Sequence, residues 1–86
     1  MPKFRIMVRA QEDAVAEEAR EVLSSIDIMG VTATDTHFEN EFVRAVFDVP
    51  EEFDFDEFEE AAEIAVEDVF PGAIITKRAM VVRLMR

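Results

Sequence analysis

The stretch "AIITKRAMVVRLMR", residues 73–86, decides how many strands this chain has. It follows Pro71-Gly72, a helix stop. It reads as one long final strand, apolar on both faces. Ile74, Met80, Val82 and Leu84 fall on one side; Ile75, Ala79, Val81 and Met85 fall on the other. Only one set can pack against helices. The other lies exposed in a monomer, next to Met7 of the first strand. Lys77, Arg78 and Arg83 blunt this edge in part, but the "AMVV" run has no such protection. The reading predicts a homodimer through strand 4, or the sheet face beside it, about a twofold axis.

Upstream lies "EEFDFDEFEEAAEIAVEDVF", residues 51–70, with ten Asp or Glu and no Lys or Arg. It reads as a helix. Asp54 and Glu57 suit a capping box, and Phe53 with Phe58 a hydrophobic staple. Phe55, Phe58, Ala61, Ala62, Ala65 and Val69 line one face. "EFVRAVFDV" before Pro50 alternates as a strand, with Val43, Ala45, Phe47 and Val49 on one side. "VTATDTHF" is a Thr- and Val-rich strand, joined to it through "ENE". Asn40 is the natural positive-φ residue there. "QEDAVAEEAREVLSSIDI" puts Val15, Ala19, Val22, Leu23 and Ile26 at helical spacing, and Gly30 reads as its stop. "KFRIMVRA" alternates Phe4, Ile6, Val8 and Ala10 with Lys3, Arg5, Met7 and Arg9, a half-buried strand with a basic outer face.

The order is β-α-β-β-α-β. Short connections and right-handed crossovers turn it into a ferredoxin-like α+β sandwich. The expected sheet has four antiparallel strands in order 4-1-3-2, with both helices on one face. Residues 1–86 read as a single domain. The helix–sheet interface should set Phe58 against Phe47.

Composition narrows the chemistry. Without Cys there is no disulfide framework, thiolate zinc site or Cys nucleophile. His37 is the only His, near a hairpin, and reads as a surface residue. "DFDEFEE" lacks the Gly and the spacing of a calcium loop. Both glycines sit at helix stops, so phosphate cradles have no support. Ser24 and Ser25 have no His in pattern. No catalytic residue, metal or cofactor is expected, and a small enzyme ranks last among the readings. The chain opens directly into strand-like sequence, with no signal-peptide pattern and no long apolar run. A soluble cytoplasmic protein without membrane association is expected.

The charge map carries the functional reading. The net charge is −11, which disfavours direct binding to nucleic acid or anionic membrane. Eight of the nine basic residues fall on expected strands, and none lies between Arg44 and Lys77. The helical layer is therefore acidic and the open sheet face mixed to basic. Asp56–Glu60, Glu59–Glu63 and Glu63–Glu67 are like-charge i,i+4 pairs, each costing about 0.2–0.5 kcal/mol. Glu67 and Asp68 stand at the end of the helix where negative charge is disfavoured. Ile64 points away from the core face into these acids. Glu57, Glu60, Glu63, Ile64, Glu67 and Asp68 thus form the expected contact with a basic protein surface. The concrete form is a nucleic-acid mimic that inhibits a nucleic-acid-binding enzyme. In size and charge alone the chain resembles phage-encoded inhibitors of host defence systems. The rival is a nucleic-acid or small-ligand module reading its target on the sheet through Arg5, Arg9, Phe42, Arg44 and Arg83. It lacks the aromatic pattern of RNA-recognition motifs. Halophilic adaptation and a designed sequence are further readings of the acidic excess.

Overall fold

The computed structural model describes residues 2–76 and 80–83. The elements run β1 Lys3–Arg9, α1 Asp13–Ser25, β2 Asp35–Glu39, β3 Phe42–Asp48, α2 Phe55–Val69, β4 Ile74–Thr76 and β5 Val81–Arg83. The fold is α+β, with two helices and a five-stranded sheet in order β2-β3-β1-β5-β4. The expected four-stranded antiparallel sheet in order 4-1-3-2 is thereby corrected. The sheet is mixed: β5 runs parallel to β1, and every other neighbouring pair is antiparallel.

The difference lies in the stretch 73–86. Ile75 pairs with Val82 and Thr76 with Val81, so the chain reverses between β4 and β5. Met80, the residue before β5, carries φ 45°. A left-handed backbone ordinarily calls for Gly or Asn, which is why no turn is legible there. The reversal reassigns the faces. Val82 and Met80 are buried, and Ile75 packs against the same core. Ile74 stands opposite Arg83 on the far side of the sheet and is 51% exposed. The expected grouping of Ile74 with Met80 and Val82 does not hold; Ala79, Leu84 and Met85 lie outside the described residues. The free edge expected of this stretch passes from the "AMVV" run to β4, Ile74–Thr76, the outermost strand of the sheet. Val81 and Val82 are flanked by β1 on one side and β4 on the other, so their backbone is no free edge.

The hairpin of β2 and β3 turns at Asn40 with φ 56°, as its residue type invites. β2 is shorter than the Thr- and Val-rich run, because Ile28 and Val31 instead bridge each other across a tight turn. α1 ends at Ser25, well before Gly30. The Ser24 hydroxyl donates to the Arg20 carbonyl (2.8 Å) and the Ser25 hydroxyl to that of Glu21 (3.1 Å). Such back-bonding competes with the helix ladder, and Ile26 then takes an extended backbone.

α2 is capped by Asp54, whose carboxylate accepts the Asp56 N–H at 2.9 Å. The cap bond goes to the second helical N–H, so the expected Asp54–Glu57 box does not form as such. Phe53 packs against the core as a staple should. The buried stripe of α2 is Phe58, Ala62 and Val66 at i, i+4 and i+8. Phe55 and Val69, expected on that face, are 39% and 37% exposed. Both helices cover one side of the sheet. They meet Phe4, Ile6 and Val8 of β1, Val43, Ala45 and Phe47 of β3, and Val82 of β5. Phe58 sits edge-on to Phe47 at 6.3 Å and to Phe4 at 5.5 Å, so the expected Phe58–Phe47 contact is present. No helix among the described residues is long and apolar enough to cross a membrane.

Candidate functional site

Burial of Phe58, Ala62 and Val66 dictates what α2 shows to solvent. Ile64 lies two residues from Ala62 and from Val66, about 200° round the helix from each. It is 69% exposed. Glu57, Glu60, Glu67 and Asp68 are exposed on the same layer, and Glu63 is half-buried. The last turn of α2 contains no basic residue. The six expected contact residues thus share one helix, with Ile64 at their centre.

The structure adds a neighbour that the sequence did not reveal. A shallow groove of about 600 Å³ runs between α2 and the turn after α1. Ile64, Glu67 and Asp68 line one wall; Asp27, Ile28 and Met29 line the other. The turn pairs Ile28 with Val31, so Met29 and Gly30 are its two central residues, with φ 53° and 84°. The Asp27 carboxylate accepts the Gly30 N–H at 2.7 Å and braces it. A turn with two positive-φ centres ordinarily takes Asn-Gly. Here a Met occupies the first, at a cost of about 1–2 kcal/mol for a left-handed L-residue, and its side chain is 41% exposed. A strained residue is more informative than a relaxed one, because a cheaper alternative exists. The Met-Gly pair beside Asp27 is the available signal, whereas the helical pattern points to Gly30 alone, as a stop. Met29→Asn should raise stability by about 1 kcal/mol, seen as a melting temperature about 4–8 °C higher. It should also weaken whatever docks on the groove. A loss of stability would show that Met29 is held there by packing.

The open side of the sheet is the second candidate. The register sets Glu39, Phe42, Arg9, Arg83 and Ile74 in one row across the five strands. The next row is His37, Arg44, Met7, Val81 and Thr76, and the third includes Asp35, Val46 and Arg5. Arg5, Arg9, Phe42, Arg44 and Arg83 are therefore brought together on one face, as the sequence pattern anticipates. Much of their charge is already answered. Arg44 pairs with Glu39 and Arg9 with Glu41, each at 3.2 Å. Lys3 pairs with Asp48, and the His37 Nδ1 lies 3.1 Å from the Asp35 carboxylate, within hydrogen-bond distance. Exposed pairs of this kind contribute about 0–1 kcal/mol. Arg5 and Arg83 have no ion-pair partner among the described residues. The Nε atoms of Arg9 and Arg44 are buried without a hydrogen bond among those residues. Lys77, Arg78 and Arg86 lie outside the described residues.

Arg20, the one basic residue of the helical layer, sits over the Phe38 ring at 5.6 Å and so belongs to α1 and β2, away from the groove. Among the described residues no group of three or more His, Asp or Glu is arranged to hold a metal ion. No family model matches the chain, and no curated protein or solved structure matches it.

Proposed function

We propose that this protein is a non-enzymatic interaction protein that binds a basic protein surface through its acidic helical layer. The observation that carries the reading is Ile64. It is the most exposed large apolar side chain among the described residues. It faces Met29 across a groove rimmed by Asp27, Glu67 and Asp68. An apolar centre inside a charged rim is the anatomy of a binding hot spot: the apolar contact supplies affinity and the rim supplies steering and selectivity. Acids that repel one another along α2 are relieved when cations cover them. In its concrete form the partner is a cytoplasmic nucleic-acid-binding enzyme. The acidic layer would occupy the groove meant for phosphates, as a phage-type inhibitor does.

Replacing Ile64 by Lys tests this. The variant should lose the partner retained by the wild-type protein on an affinity column. It should also lose inhibition of that partner's nucleic-acid binding by at least tenfold. Folding stability should change by less than about 0.5 kcal/mol, because the site is exposed. Retained binding, or a large stability loss, overturns the contact centre.

A second reading rests on the row Phe42–Arg9–Arg83 and the unsatisfied Nε atoms. In it the open sheet face binds a single-stranded nucleic acid or a small anion. Retention of a single-stranded RNA at low salt, lost in Arg5→Glu/Arg83→Glu, would favour it over the acidic layer.

A further inference from the structure

We infer that the basic surface fitted to the α2 groove is also carried by this chain: the open sheet face of a second copy. The inference rests on the contact centre proposed above and names a partner for it. Ile64 is an apolar centre with Glu57, Glu60, Glu67 and Asp68 on its own helix and Asp27 across the groove. Met7 is the opposite arrangement. Along β1 its open-face neighbours are Arg5 and Arg9; across the strands they are Arg44 and Val81, with Arg83 on the diagonal. An apolar centre among four arginines thus matches an apolar centre among acids, in sign and in plan. Arg5 and Arg83 are the cations of that ring without an ion-pair partner among the described residues, and both are exposed.

Position decides the kind of assembly. The helices cover one side of the sheet and Met7 lies on the other. The two patches therefore face opposite ways, and joining them cannot create a twofold axis. Such a junction is heterologous, and it repeats into a chain or closes into a ring. The molecules repel as wholes at net charge −11. At 0.15 M salt that repulsion is screened beyond about 8 Å, while the matched patches are in contact.

The test uses two blocked variants of the full chain. Ile64→Lys blocks the acidic patch and leaves the sheet face intact. Arg5→Glu/Arg83→Glu blocks the sheet face and leaves the acidic patch intact. All three substituted side chains are exposed, and circular dichroism with thermal melts checks that both variants fold. By light scattering, the wild-type mass should grow with concentration beyond a dimer or settle at a ring. Each variant alone should stay monomeric, and the two mixed should form a 1:1 dimer through the single junction left. A wild-type monomer up to about 100 μM overturns the inference. So does a dimer that stops at two copies, or a pair of blocked variants that fails to complement. A monomer that still loses a foreign partner on Ile64→Lys would sink this inference alone and leave the proposed function standing.

Discussion

Phe58→Ala is expected to cost about 3–5 kcal/mol of folding free energy, the range for truncating a buried Phe. The side chain is fully buried and joins the two layers of the fold. Its ring stands edge-on to Phe4 at 5.5 Å and to Phe47 at 6.3 Å, and Phe4 in turn meets Phe55 at 5.8 Å. Edge-to-face pairs add about 0.5–1.5 kcal/mol beyond the area they bury. Ala62 and Val66, the other buried positions of α2, are too small to close the void. Small domains have about 5–15 kcal/mol in total, so the loss removes a large share of the stability. The melting temperature should fall by about 12–40 °C. Urea titration should show a lower midpoint at nearly constant slope. Phe55→Ala is the control: its ring is 39% exposed and should cost clearly less. Equal losses at both positions would mean that α2 does not hang on the Phe58 face.

Where local chemistry and long-range placement agree, the sequence could be read. The alternation in β1 and β3 named every buried residue of those strands, because a sheet with one covered face forces period two. Asn40 announced its own hairpin. Ile64 was legible as exposed once Phe58 and Ala62 were placed inside. Three things were not legible, each for a physical reason. The reversal before β5 puts a left-handed backbone on Met80, and the turn after α1 puts one on Met29. Both are residues that turn chemistry disfavours. The expected helix face has Phe58 and Ala62 right but takes Val69 where Val66 is buried, three residues earlier, since Ala61 and Ala65 are apolar enough to blur the stripe. The expected order 4-1-3-2 already sets the last strand beside β1; its parallel direction follows from the reversal and is hidden with it. The candidate site divides the same way. Its helical half was visible in the charge pattern. Its other wall, Met29, needed the strained turn to be seen.

The fifth strand carries the second large prediction. Val82 is fully buried, between Val8 on β1 and Ile75 on β4. Its neighbour Val81 is half-buried on the open face, in the row of Met7 and Arg44. Val82→Asp places a carboxylate in a core where the described residues include no buried polar or charged side chain. An uncompensated buried charge costs about 3–5 kcal/mol, even after the group has shed part of its charge by taking a proton. At neutral pH the variant should be largely unfolded or close to it. Val81→Asp introduces the same group among Arg5, Arg9 and Arg83, and should cost about 1 kcal/mol or less. The pH dependence separates burial from simple loss of β propensity. Burial raises the folded-state pKa of the new carboxyl above its unfolded value near 3.9. The folded state then binds more protons between those two values, and stability falls as pH rises through that window. The gap between Val82→Asp and the wild-type protein, each titrated with urea at the same pH, should therefore be widest at pH 7 and narrow toward pH 4. A gap independent of pH, or equal costs at 81 and 82, would mean that Val82 is not sealed in the core. A steep, pH-dependent loss at Val82 alone is what its place requires, because β1 and β4 occupy both of its flanks and its side chain turns into the core.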